Sequence, residues 1–287
     1  MLKPEIAQQI WQIQLKTRKM LSGMMVGDKK AARKGHGFEF DQVREYEQGD
    51  DLRFIDWKAT ARTGRLLTKQ YFEERNHNII IALDVSDSTE NKYHILSQLA
   101  AIFALVAEYS KDNVGLVLFS DQIELKLPIR RGSGHVMRLM EIVFDFKNQV
   151  KNQKSSRTNL DMVLTDLAKN LKTKSLVVLI SDLIDLHDYE RALKNLRQRH
   201  DVVMVRCLNN CEQQMPRLGL LPILDPETGE MAILDTRQSN WLNEILKARI
   251  TKQNSLLRSC GVDLLEIYEE TQAVAAVVKF FRKRLMY

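Results

Sequence analysis

A chain of 287 residues, 44% hydrophobic and 28% charged with a net charge of +6, has enough apolar material for a core and reads as globular rather than disordered. No apolar run approaches the roughly 20 residues that span a bilayer, and the N-terminus lacks the apolar region and cleavage site of a secretory signal. The three cysteines, Cys207, Cys211 and Cys260, are odd in number and lack zinc-ligand spacing, which suits a reducing compartment and gives the expectation of a cytoplasmic protein.

Ile6, Ile10 and Ile13 recur at helical spacing and predict an amphipathic helix over residues 4–21. Gly23, Gly27, Gly35 and Gly37 interrupt any regular element after it, so residues 22–40 read as a basic loop. Across residues 16–34, Lys16, Arg18, Lys19, Lys29, Lys30, Arg33 and Lys34 stand against a single acid, Asp28. Residues 41–77 are charged and aromatic without a clear period. The organisation expected is a segment 1–77 and an α/β domain 78–287.

From residue 79 the character changes. Ile79–Leu83, Gly115–Phe119, Leu176–Ile180 and Val202–Val205 are continuous short apolar runs, the mark of strands buried on both faces, and Val262–Ile267 is a later candidate. Ile95, Leu99, Ile102 and Val106 form one stripe of a helix near 91–110, and further helical patterns cover 134–147, 160–171, 188–199, 240–259 and 272–284. Strand and helix in alternation predict a doubly wound, mostly parallel sheet. Ile123–Leu127 alternates strictly and follows its predecessor after only Ser120, Asp121 and Gln122. That link is too short for a crossover, so an antiparallel edge strand is expected.

Ligands of open α/β sheets sit beyond the carboxyl ends of the strands. One strand here ends in Asp84-Val85-Ser86-Asp87-Ser88 and another in Ser181-Asp182, while Ser155-Ser156-Arg157-Thr158-Asn159 forms a polar loop opening a helix. All are hard oxygen donors of the kind that magnesium, calcium and manganese prefer. Taken singly, Asp84, Asp87 or Asp185 reads equally well as a helix cap. The order Asp-x-Ser-x-Ser, loop threonine, later aspartate resembles the metal-ion-dependent adhesion site of von Willebrand factor A domains. That resemblance implies a von Willebrand factor A-like fold, with Ser86, Ser88 and Thr158 as hydroxyl ligands and Asp84 and Asp182 holding the metal directly or through water. Mg²⁺ is the expected ion, with Mn²⁺ or Ca²⁺ as substitutes. Thr89 occupies a position where such loops commonly carry methionine.

A second resemblance covers roughly residues 35–285. Glu39-Phe40, the run Arg44 to Trp57 and Thr60-Ala61-Arg62, with Leu224 to Glu230 and Leu234-Asp235, are similar to the bacterial family called domain of unknown function 58. Members are associated with MoxR-type AAA+ ATPases, which implies such a partner and a client protein. The transmembrane pair of many relatives is not seen before the signature. Within the signature, Asp50, Asp51 and Asp56 either pair internally with Arg44, Arg53 and Arg62, or those arginines contact an acidic partner. Gly49 suits a tight turn, and Trp57 is expected in an apolar pocket.

The resemblances imply a non-enzymatic adaptor with a metal-dependent protein-binding site. A haloacid dehalogenase-type phosphatase needs a proton-transferring aspartate where Ser86 stands. A Gly-x-Ser-x-Gly elbow, a dinucleotide fingerprint and a P-loop are all missing. The alternatives are a nucleic-acid-binding protein using its basic stretches, among them Arg130, Arg131, Arg138, Lys147, Lys151, Lys154 and Arg157, and a metal-dependent hydrolase built on Asp50, Asp51, Asp56 and Lys58. Cys207 and Cys211 read as buried apolar residues, His36 and His187 as surface residues, and helix 272–284 as core cover.

Overall fold

The computed structural model describes residues 34–35, 39–72, 77–149, 157–185, 187–209, 215, 218–224, 231–268 and 273–285. Contacts group them into two compact units, one within residues 22–76 and one running on from His77. The expected helix over 4–21, most of the basic loop, and Ser155, Ser156 and Cys211 lie outside the described residues.

In the first unit, β1 (Lys34–Gly35) and β2 (Glu39–Glu45) flank β3 (Leu67–Phe72) in an antiparallel sheet of order β1-β3-β2. Gly49 takes φ +111° in the turn after β2, a conformation that disfavours any side chain. Asp51 then caps a 3₁₀ turn, Leu52–Phe54, and Asp56 accepts from the amides of Lys58 and Ala59 to open α1 (Trp57–Thr63). Gly64, at φ +71°, closes that helix. Residues that show no period in the sequence are thus largely caps and turn formers. The expectation for Trp57 is corrected: it is 66% exposed, whereas Ile55, bridged to Thr68 of β3, is the buried apolar residue.

The second unit is built on a six-stranded sheet of order β11-β8-β7-β4-β5-β6. Its strands are β4 (Asn78–Asp84), β5 (Asn113–Phe119), β6 (Ile123–Arg130), β7 (Ser175–Ser181), β8 (Asp201–Cys207) and β11 (Asp263–Ile267). All neighbours are parallel except β6, which returns antiparallel along β5 at the sheet edge, as expected. The helices are α2 (Tyr93–Tyr109), α3 (Ser133–Gln149), α4 (Leu160–Asn170), α5 (Glu190–Arg199), α6 (Ser239–Ser259) and α7 (Ala273–Leu285). A separate antiparallel hairpin pairs β9 (Leu220–Leu224) with β10 (Met231–Asp235).

Two cores explain the unbroken apolar runs. Ile79, Ile81 and Leu83 of β4 join Leu96, Ile102 and Phe103 of α2 and Val277 of α7 on one face. Ile80 and Ala82 join Leu164 of α4, Leu193 of α5 and Leu257 of α6 on the other. Because side chains alternate across a strand, both parities must be apolar when both faces are covered. Helix α7 is therefore core cover, and among the described residues no helix is long and apolar enough to cross a membrane. On β5 the register slips: Val114 pairs with Arg130 but Leu116 with Leu127, so Gly115 alone faces Pro128 and Ile129. A Cβ there would stand 2.9 Å from Ile80 Cδ1 and 3.1 Å from the Leu127 carbonyl oxygen, an approach open only to glycine.

Candidate metal centre

The carboxyl ends of β4 and β7 lie side by side, and both loops turn sharply there. After Asp84, the Val85 amide still donates to the Phe119 carbonyl of β5 (2.8 Å), which holds the loop against the sheet. Ser86 then occupies the N-cap of the 3₁₀ turn Asp87–Lys92 without making a side-chain cap bond. A serine at that position ordinarily spends its hydroxyl on the turn's amides. Here Oγ points elsewhere, 3.1 Å from Ser88 Oγ and 2.9 Å from Thr158 Oγ1. The buried Thr89 hydroxyl donates to the Ser86 carbonyl (2.7 Å) and fixes the loop backbone.

Thr158 reaches the same point from the loop before α4. Asn159 caps that helix by accepting from the Met162 amide, and its own amide donates to the Ser120 carbonyl at the end of β5. Asp185 accepts from the Leu160 amide (2.6 Å) and contacts His187, which settles its role as a cap on α4. Thr158 Oγ1 then donates within 3.3 Å of Asp84 Oδ2. Ser181, the last residue of β7, donates to the same Asp84 oxygen at 2.7 Å, and Asp84 Oδ1 accepts from the Ser86 amide at 3.0 Å. Asp84, Ser86, Thr158, Ser181 and Asp182 are all buried.

The charges are unevenly matched. Asp182 is held by the ammonium of Lys92 (3.0 Å), itself only 3% exposed, and by the Ile184 amide. Among the described residues, Asp84 accepts only from the neutral donors named above. Burial first, and the charge of Asp182 second, push its pKa up to about 6. Lys147 of α3 donates to the Ser86 carbonyl at 3.2 Å and lies 5.6 Å from the ring centre of Tyr93. Burial draws its pKa down, opposed by Asp87, Glu90 and Asp84.

The donor set fits a small divalent cation. An octahedral ion with oxygens at about 2.0–2.1 Å places neighbouring ligands about 2.9–3.0 Å apart. The Ser86–Ser88 and Ser86–Thr158 oxygen separations of 3.1 and 2.9 Å are of that size. Asp84 has the charge such an ion needs and, among the described residues, no cationic side chain bonded to it. Among the described residues no cluster of three or more His, Cys, Asp or Glu side chains offers a metal site.

Of the five residues singled out in the sequence, Asp84, Ser86, Ser88 and Thr158 are joined by hydrogen bonds, while Asp182 acts on Asp84 through its charge and spends its oxygens on Lys92 and the Ile184 amide. Ser181, already read as a strand-end oxygen donor, orients Asp84 rather than standing among the five. Lys92, buried against Asp182, is the neighbour that the sequence reading does not single out. Leu183, directly after Asp182, has φ +58°, a left-handed conformation unusual for a branched residue, and its carbonyl accepts from Gln253 of α6. Of the signature arginines, Arg44 pairs with Asp50 (2.6 Å) and Arg53 with both oxygens of Asp51. Arg62 is exposed and, among the described residues, makes no ion pair; Arg65, not foreseen, pairs with Glu45.

Residues 42–255 match the family model described as "Protein of unknown function DUF58". The uncharacterized protein Rv1480 of Mycobacterium tuberculosis is 22% identical over 290 residues, covering 98% of this chain and 90% of that protein. The uncharacterized protein YeaD of Bacillus subtilis is 32% identical over 101 residues, 34% of this chain and 24% of that protein. Among solved structures, the conserved hypothetical protein BatB from Bacteroides thetaiotaomicron aligns with a TM-score of 0.47 and 16% identity, covering 74% of this chain and all of that one. The von Willebrand factor type A protein from Catenulispora acidiphila aligns with a TM-score of 0.43 and 10% identity, over 77% of this chain and 45% of that one.

Proposed function

The chain belongs to the DUF58 family, its second unit is a von Willebrand factor A-like α/β sheet, and on that premise we propose that it is a non-enzymatic, cytoplasmic adaptor that binds other proteins through a divalent cation. The partner implied by the family resemblance is a MoxR-type AAA+ ATPase, acting with the adaptor on a client protein complex. The observation that carries the reading is the N-cap serine that does not cap: Ser86 Oγ is turned to Ser88 and Thr158 beside a buried Asp84.

Asp84, Ser86, Ser88 and Thr158 are the residues that would hold the ion, with Asp182 directly or through water. A bound Mg²⁺ would supply a Lewis-acidic position attractive to a carboxylate of another protein. The protein's own part is to keep the oxygens fixed: Ser181 aims Asp84, Thr89 and Lys147 grip the Ser86 carbonyl, and Lys92 anchors Asp182. Three neutral hydroxyls cancel little of a double positive charge. Lys92 cancels one of the two carboxylates, which leaves still more of that charge for a partner to meet. The absence of an acid at Ser86 supports binding rather than phosphoryl chemistry.

The signature segment supports a second contact surface. Trp57 is 66% exposed in the same segment as the exposed Arg53 and Arg62, and tryptophan and arginine are the residue types that dominate protein interfaces. The test is capture of a purified MoxR-type ATPase by the wild-type chain and by Asp84→Ala, each with Mg²⁺ and with EDTA. Capture that needs both Asp84 and the ion is expected. Equal capture in all four conditions would sink the metal bridge, and no capture in any would sink the partner.

A further inference from the structure

At the other end of the same sheet, where β7 and β8 begin, a cavity of about 540 Å³ is lined by Lys169, Leu171, Lys172, Thr173, Lys174, Arg199 and His200. Four of these seven carry a fixed positive charge and none is a carboxylate. Lys169 and Arg199 stand in the last turns of α4 and α5, where cations ordinarily offset the negative end of the helix dipole. Two such helix ends amount to roughly one negative charge in total. Lys172 and Lys174 lie beyond them, so about three positive charges stay uncompensated. Among the described residues none of the four lysines and arginines makes an ion pair.

His200 is the second, independent observation. It is only 2% exposed, and neither ring nitrogen has a hydrogen-bond partner among the described residues. A buried donor left without an acceptor costs about 1–3 kcal/mol, and an orphan imidazole on the wall of a basic cavity lacks what an oxyanion supplies. Burial and the neighbouring Arg199 lower its pKa, so the ring is neutral and offers one N–H and one lone pair. The volume falls in the range of roughly 300–1,000 Å³ found for small-ligand sites.

We propose that this cavity binds the phosphate groups of a small, multiply charged phosphate compound, with Lys172, Lys174 and Arg199 meeting the charge and His200 donating from the wall. The site is separate from the metal loop, so the full chain is titrated calorimetrically in EDTA with inorganic pyrophosphate and, in a parallel arm, with ADP. Saturable one-to-one binding is expected. The exposed double variant K172E/K174E should weaken it by at least about tenfold through charge reversal alone, and His200→Leu should weaken it as well. Lys252→Glu on α6, outside the cavity, should bind as the wild type does. Equal affinities for the two probes would assign the site to bare phosphate, and tighter ADP binding to a nucleotide; either supports the proposal. Four outcomes would overturn it: no saturable pyrophosphate binding by the wild type, full binding by K172E/K174E, equal loss in Lys252→Glu, or binding of a single-stranded oligonucleotide without binding of pyrophosphate.

Discussion

Asp84 shows how a single side chain can be costly to the fold and suited to a ligand. Its pKa, raised from 3.8 to about 6, means that at pH 7 the folded chain carries a carboxylate that its surroundings oppose. Asp84→Asn removes that charge and its repulsion with Asp182. The metal-free variant is expected to be more stable than wild type at pH 7 by about 1–3 kcal/mol in urea unfolding, and Mg²⁺ should no longer raise its melting temperature. A destabilised variant, or one that still responds to Mg²⁺, would contradict this account. His200 gives the pH signature of a different site. Its folded pKa lies below the ordinary 6.5, so the unfolded chain binds more protons in mild acid. The stability it contributes is complete above about pH 7 and declines as pH falls through about 6.5. Between pH 7.5 and 5.5, His200→Gln should lose less stability than wild type.

At the level of elements, legibility in the sequence followed burial. The central runs of β4, β5, β7 and β8 are apolar without alternation because both faces are covered, and their shortness together with the alternating helical stretches identifies them as strands. The β5–β6 hairpin was readable from strict alternation and a three-residue link. β2, α1 and β3 were not, because their residues serve mostly as caps, turns and ion pairs rather than as a periodic face. Trp57 shows the same limit: an aromatic residue suggests a pocket, yet here it opens a short helix with its ring outside. In the candidate metal centre, the hydroxyls and carboxylates at the strand ends are legible by spacing, whereas Lys92 is not. Its burial comes from the packing of α2 and β7, which residues 87–92 do not encode. One element invites a direct check. Gly115→Ala should destabilise the domain by about 1–3 kcal/mol, because Ile80 and the Leu127 carbonyl must move to admit a methyl group. Denaturant midpoints of wild type and variant decide it; a neutral change would show that the β6 bulge opposite Gly115 is slack.

For the whole molecule, the division near residue 76 separates a small capped sheet from a unit with two cores of its own. A chain in which a short glycine–serine linker replaces residues 22–76 should therefore unfold cooperatively in a thermal scan, while loss of cooperativity would show that the 22–76 unit is required for the other. The Lys92–Asp182 pair carries this independence down to the cation loop. A lysine is covalently part of the chain and cannot be washed out, so Asp182 keeps its place whether or not anything else is bound. Chelation should then abolish partner capture while leaving the far-UV circular dichroism unchanged. The supply of cation would set how much of the protein is engaged at any moment, and not how much of it is folded.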